Sequence, residues 1–133
     1  MSQANVDLIR GLYEAFARGD APAILGAMDP NIVWNEAENF PYSDRNPYVG
    51  PMAVAEGVFG RIGTEWDQFQ AVPDEILDAG DTVVALGRYS GTYKATGKKM
   101  NAQFAHVWRV SGGKVTAFQQ YTDTAQAVAA TQG

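Results

Sequence analysis

Residues 104–123 read FAHVWRVSGGKVTAFQQYTD. Before the glycine pair, Phe104, His106 and Trp108 share one side of an extended chain, and Gln103, Ala105 and Arg109 take the other. After it, Phe118, Gln120 and Thr122 alternate with Gln119, Tyr121 and Asp123. Two period-two runs joined by SGGK make an antiparallel hairpin. Working back along the chain, AGD (79–81) and ATGK (95–98) are further short, glycine-containing connections. They divide the second half into runs at 66–72 continuing past Pro73 to 77, 82–94, 99–110 and 114–122, which predict a four-stranded antiparallel meander. Pro73 within a run implies an edge strand or a bulge. Gly87 and Gly91 within one strand imply a sharp bend.

The first half reads as helices around one strand. Leu8, Leu12 and Phe16 are spaced by four, with Ile9 and Tyr13 beside them, so 5–18 predicts a helix with one apolar stripe. Gly19 stops it, and Asp20 caps a second short helix with Pro22 in its first turn. IVWNEA (32–37) reads as a strand with Ile32, Trp34 and Glu36 on one face. Residues 39–51 are rich in Pro, Tyr, Asn and Ser and read as a loop. Pro51 opens a third helix, with Ala55, Val58, Phe59 and Ile62 at i, i+3, i+4, i+7 and with Gly57 and Gly60 suited to close packing. An Ala-rich tail predicts a short final helix. Helices first and strands afterwards predict an α+β fold. A bent antiparallel sheet wrapping three helices makes a cone with an apolar interior and one open mouth, where a small molecule would sit.

The 133 residues suit one domain, 1–133. Hydrophobic residues at 46% and charged residues at 19% argue for a packed core and against disorder. Fifteen acidic against ten basic residues give a net charge of −5, the wrong sign for a general nucleic-acid binder. No apolar run approaches the ~18–20 residues of a membrane span. MSQANVDLIRG lacks the charged and apolar regions of a signal peptide, so a soluble, cytoplasmic protein is expected. With one His and no Cys, neither a disulfide framework nor a metal site is signalled. A G-x-S-x-G nucleophile is missing, and GVFGRIG (57–63) lies within a helical pattern, so it is not a phosphate loop. No cofactor is implied.

Two ionisable residues sit where alternation makes them unusual. If the face of Ile32 and Trp34 looks inward, the Glu36 carboxyl is desolvated, its pKa rises, and it suits proton transfer near neutral pH. The alternative is a strand end whose carboxylate reaches water. His106, between Phe104 and Trp108, is either a proton-handling imidazole or a core histidine bonded to a carbonyl or a tyrosine. Asp123 precedes the Ala-rich tail and by default caps it. Tyr13 and Phe16 read first as core, although a helix facing a cavity makes core and contact residues the same.

LYEAFARGD, DPNIVWNE, GPMAVAEGVF and FAHVWRVSGGKVTAFQQYTD, in this order, resemble the nuclear transport factor 2-like superfamily. Within it the chain is most similar to SnoaL-like polyketide cyclases and ketosteroid-isomerase-related proteins. The resemblance implies the cone fold and a pocket; the superfamily's activities range from isomerases, cyclases, dehydratases and epoxide hydrolases to non-enzymatic binding domains. In the isomerases the general base is a carboxylate near the end of the first strand, a position held here by Glu36. Their neutral acid donor to the oxyanion, an established example of pKa tuning, falls at His106. Their oxyanion tyrosine on the first helix falls at Leu12, beside Tyr13, a departure from the isomerase pattern. The cyclases' aspartate after the last strand falls at Asp123.

Two classes of function follow. One is a cofactor-independent acid/base enzyme of isomerase, cyclase or dehydratase (lyase) type acting on an apolar carbonyl compound, with Glu36 moving a proton, His106 polarising the carbonyl and Asp123 as a third candidate. Tyr13, Phe16, Trp34, Phe59, Trp108 and Phe118 would form its wall, Gln120 would share the inward face of the last strand, and Tyr42 and Tyr48 would cover the mouth. The other is a non-catalytic ligand-binding or dimerisation module. In both, the outer sheet face with Gln103, Arg109 and Gln119 is expected to pair with a second copy as a homodimer.

Overall fold

The computed structural model describes residues 2–132. Helix α1 (Gln3–Ala17) starts where the Ser2 hydroxyl accepts the Asn5 N–H at 3.2 Å and ends before Gly19, whose φ of 73° only glycine adopts freely. Asp20 caps α2 (Ala21–Gly26) by accepting the Ala23 N–H. Strand β1 (Met28–Asn35) follows, then a single 3₁₀ turn (Pro41–Arg45) and the short β2 (Tyr48–Val49). The helix opened by Pro51 is continuous but uneven. Its α-helical ends, α3 (Pro51–Val54) and α4 (Gly60–Glu65), flank one wider π turn at Ala55–Phe59. Gly57 lies in that turn against the ring of Tyr48, where a Cβ has no room.

Strands β3 (Trp66–Ala79), β4 (Thr82–Tyr93), β5 (Lys99–Ser111) and β6 (Lys114–Thr122) form the expected antiparallel meander, and α5 (Thr124–Thr131) closes the described chain. Gly112 and Gly113, at φ 58° and 76°, make the β5–β6 hairpin with the left-handed geometry of a two-residue turn. The sheet order is β2-β1-β6-β5-β4-β3. The sheet is mixed rather than wholly antiparallel, because β1 lies parallel to β6. Chain order carried no sign of this pairing, which joins strands some eighty residues apart.

The sheet bends where small residues permit it. Pro73 lies on edge strand β3 opposite Gly87, next to a register shift between Pro73 and Glu75. A Cβ on Gly87 would run into the Val72 carbonyl and the Phe104 ring. Gly87→Ala is therefore expected to destabilise the protein by ~1–3 kcal/mol, as overpacking does. The check is a fall in the urea midpoint at unchanged slope.

Alternation along β4, β5 and β6 turns Val83, Ala85, Tyr89, Phe104, His106, Trp108, Phe118 and Gln120 inward onto α1 and the uneven helix. Val6, Ile9, Leu12, Tyr13 and Ala15 of α1 are buried against them. No helix is long and apolar enough to cross a membrane among the described residues.

Candidate active site

Three inward residues stand side by side across the sheet. Parallel register sets Trp34 beside Phe118 and Asn35 beside Gln119, so Glu36 comes beside Gln120. The next antiparallel pair sets Gln120 beside His106. At ~4.8 Å per strand, the Glu36 and His106 backbones are about 10 Å apart on one face. Glu36 is 3%, Gln120 3% and His106 4% exposed. Their side chains, with aromatic neighbours from α1, β1, the π turn and β3, line a narrow apolar hollow of about 60 Å³.

Glu36 is held from several sides. Asn46 brackets its main chain, with Asn46 Oδ1 accepting the Glu36 N–H at 3.0 Å and Asn46 Nδ2 donating to the Glu36 carbonyl at 2.8 Å. Trp34 Nε1 donates to Glu36 Oε2 at 3.2 Å. Burial pushes the carboxyl up to about 8, against the smaller opposing pull of the Trp34 hydrogen bond and the Arg61 charge. The acid form therefore predominates at neutral pH, with an ionised minority close to the working range of a general base.

His106 is bonded at both ring nitrogens. Tyr13 Oη is 2.5 Å from Nδ1 and Tyr89 Oη is 2.5 Å from Nε2. The imidazole also stacks on Phe104 at 3.9 Å between centroids and meets the edge of Phe118 at 4.9 Å. Burial pushes it down to about 3, so it stays neutral. Each tyrosine oxygen takes a further hydrogen bond, Tyr13 from Trp108 Nε1 at 2.9 Å and Tyr89 from Gln120 Nε2 at 2.8 Å. Gln120 Oε1 in turn accepts the Ala37 N–H at 3.0 Å, which fixes the orientation of that amide.

The SnoaL-like domain model matches residues 9–118, most of the chain. The chain belongs to the SnoaL-like family. Patulin biosynthesis cluster protein F of Penicillium expansum is 31% identical to it over 85 residues, which are 63% of this chain and 42% of that protein, so the chain spans about two fifths of that relative's length. The crystal structure of a nuclear transport factor 2-like protein from Burkholderia thailandensis E264 is 39% identical, with a TM-score of 0.92 and complete coverage of both chains. Another, from Burkholderia pseudomallei K96243, is 29% identical at a TM-score of 0.89, again with complete coverage. The expected superfamily and its α+β cone are thus shown.

Within this SnoaL-like cone, Tyr13, Phe16, Trp34, Glu36, Phe59, His106, Trp108, Phe118 and Gln120 all line the hollow. Three expected residues do not. Tyr42 is buried away from the hollow; its hydroxyl donates to Glu65 Oε1 at 2.5 Å and accepts from Trp66 Nε1 at 3.0 Å. Tyr48 donates to the Tyr42 carbonyl, so neither ring covers the mouth. Arg61 ties this loop down, forking onto both oxygens of Asp44 at 2.8 and 3.0 Å and lying over the Tyr42 ring. Asp123 caps α5 through the Gln126 N–H and faces the outer side of β6 with Tyr121, because Phe118 and Gln120 take the inner side.

The hollow also contains Val58 and Ile62 of the third helix's apolar stripe, and residues that the sequence reading passed over, Tyr89, Phe40 and Phe69 among them. Tyr89 had a signal, since it shares parity with Val83, Ala85 and Gly87 on the inward side of β4. Those small residues, opposite His106 and Phe104, leave the space through which its hydroxyl reaches the imidazole. Tyr13 rather than Leu12 brings the α1 hydroxyl to His106.

Proposed function

We propose that this SnoaL-like chain is a cofactor-independent acid/base enzyme of isomerase, cyclase or dehydratase type, acting on an apolar compound that carries a carbonyl. The carrying observation is one volume shared by a buried carboxyl group with a raised pKa and by tyrosine hydroxyls held on a neutral imidazole. Glu36, when ionised, takes a proton from the carbon next to the carbonyl. The C–H electron pair becomes the C=C bond, and the carbonyl π pair moves onto oxygen. A tyrosine hydroxyl donates to that oxygen as its charge grows. Glu36 then returns the proton, to the same carbon or to another. His106 supports the hydroxyls and does not itself touch the substrate, because both its nitrogens are engaged.

The test is exchange of α-protons for deuterium in a panel of alicyclic and aryl ketones, paired with carboxyl NMR titration of Glu36. Catalysed exchange and a titration midpoint near 8 are expected. Ketones that bind without exchanging would move the chain to the non-catalytic binding class.

We also propose a homodimer through the outer sheet face. There, Tyr121 is 56% exposed, and Val33, Val72 and Leu77 are exposed on the sheet, an apolar surface that a second copy would cover. Sedimentation should return twice the 14.4 kDa chain mass. Tyr121→Glu should return the chain mass itself. A wild-type protein that sediments as a monomer removes this proposal.

A further inference from the structure

We propose that Tyr13, His106 and Tyr89 form one hydrogen-bond donor with a single proton to offer, and that the tautomer of His106 decides which tyrosine offers it. The proton count rests on the hydrogen-bond geometry and on the buried ring being neutral; the choice of ligand below rests on the acid/base reading above.

Trp108 and Gln120 are the fixed ends of the chain of bonds. An indole N–H only donates. The Gln120 amide has its oxygen on the Ala37 N–H, so its nitrogen donates to Tyr89. Each tyrosine oxygen is thus already an acceptor once. Between these ends lie two links, one at each nitrogen of His106, and a neutral ring with two hydroxyls holds three protons. Two protons make the links, and the third remains on one hydroxyl.

With the ring proton on Nε2, the ring donates to Tyr89, Tyr13 donates to Nδ1, and the Tyr89 O–H is released toward the hollow. With the ring proton on Nδ1 the roles reverse and Tyr13 has the spare O–H. Both tyrosines cannot donate to the ligand at once. No hydrogen bond joins either hydroxyl to Glu36 among the described residues.

Tyr89 is the end nearer Glu36. Gln120 bridges its hydroxyl to Ala37, the residue that follows Glu36. A ligand with its α-carbon at Glu36 and its oxygen at Tyr89 draws the ring proton to Nε2. With Glu36 ionised, as the acid/base reading requires, the site then provides one donor and no cation, since Arg61 is held by Asp44 and Tyr48 outside the hollow. It suits a neutral ligand with one acceptor oxygen, a ketone or aldehyde, and not a carboxylate or a phosphate ester. Tyr89 is the contact residue in this arrangement, and His106 is a positioning residue.

The chain has a single His, so nitrogen-15 NMR reads this ring without ambiguity. In Tyr13→Phe the remaining partner of the ring is Tyr89. A buried unpaired N–H is rarer than a buried unpaired acceptor, so the proton should move to Nε2. In Tyr89→Phe it should move to Nδ1. The expected result is this exchange of the protonated nitrogen between the two variants at pH 7, with unchanged circular dichroism. The wild-type ring supplies a check that needs no substitution, because its two nitrogens together should carry one proton. The same tautomer in both variants, or a ring protonated at both nitrogens in any of the three proteins, overturns the proposal. Opposite tautomers in a protein that exchanges no ketone keep the donor and remove the acid/base reading. Exchange in a protein with a doubly protonated ring does the reverse.

Discussion

Glu36→Gln is expected to leave apolar ketones bound while lowering α-proton exchange by ~10²–10⁴-fold, the usual contribution of a positioned acid or base. The substitution keeps the side chain's shape and an acceptor for Trp34 Nε1, which donates to Glu36 Oε2. It removes only the group that can hold a proton. Binding should persist because the wall around the carboxyl is apolar and stays in place: Trp34 stacks on Phe118 at 3.8 Å, and Phe59 meets Trp34 at 5.7 Å. The loss should therefore appear in kcat, with KM little changed. In the unaltered protein, exchange should rise with pH and level off above about 8, as the carboxyl ionises. Isothermal titration with the same ketones checks the binding half. A variant that exchanges at the original rate assigns the proton transfer elsewhere.

Stability should have a plateau between about pH 4.5 and 6.5 and fall on either side, from two buried groups with opposite preferences. Glu36 has its pKa raised from 4.5 to about 8 on folding. Between those values the folded form keeps a proton that the unfolded chain has lost, so stability falls as pH rises. His106 goes the other way, from 6.5 down to about 3. Over that interval the unfolded chain binds a proton that the folded form refuses, so stability falls as pH drops. From 4.5 to 6.5 the two slopes cancel. Above 6.5 Glu36 alone acts, and below 4.5 His106 alone, each at up to ~1.4 kcal/mol per pH unit. The lowered carboxyls of Asp44, Asp78 and Asp123, favoured in the fold as anions by hydrogen bonds, steepen the acid side. Urea midpoints at half-unit steps of pH measure the curve. In Glu36→Gln the alkaline descent up to pH 8 should disappear and the acid one should begin at about 6.5, because nothing then cancels His106. A descent that survives the substitution would mean the carboxyl is not the group responsible.

Alternation carried most of the site. It put Glu36 with Trp34, His106 with Phe104 and Trp108, and Gln120 with Phe118, because a residue facing inward on a strand keeps its parity whatever its neighbours do. Turn glycines carried the meander for a similar local reason: Gly112 and Gly113 need positive φ. What alternation cannot show is what a side chain meets at its far end. The Tyr13 and Tyr89 hydroxyls converge on one ring from an α-helix and a strand 76 positions apart. Tyr42 and Tyr48 looked like a cover because they sit on a proline-rich loop, but Glu65, Trp66 and Arg61 hold them inside. Asp123 shares a motif position with an acid/base group, yet it follows Tyr121 to the outer face and caps a helix. The parallel contact of β1 with β6 is equally non-local, and it is what sets Glu36 beside Gln120.

The wide turn at Ala55–Phe59 separates two kinds of change in this chain. Each residue of an α-helix advances the next by ~100°. Losing one residue from the turn would convert it to ordinary helix and keep α3 and α4 on their bearings, since one residue is what the wider turn absorbs, so the change is confined to the side chains, Val58 and Phe59 among them, that the turn itself presents to the hollow. The groups proposed to handle protons stand elsewhere, on α1, β4 and β5 and at the end of β1, so they would keep their positions. A single-codon deletion would in this way remodel the wall of the hollow and leave the proposed proton-transfer groups in place, a route to new ligands that needs no redesign of the proposed chemistry.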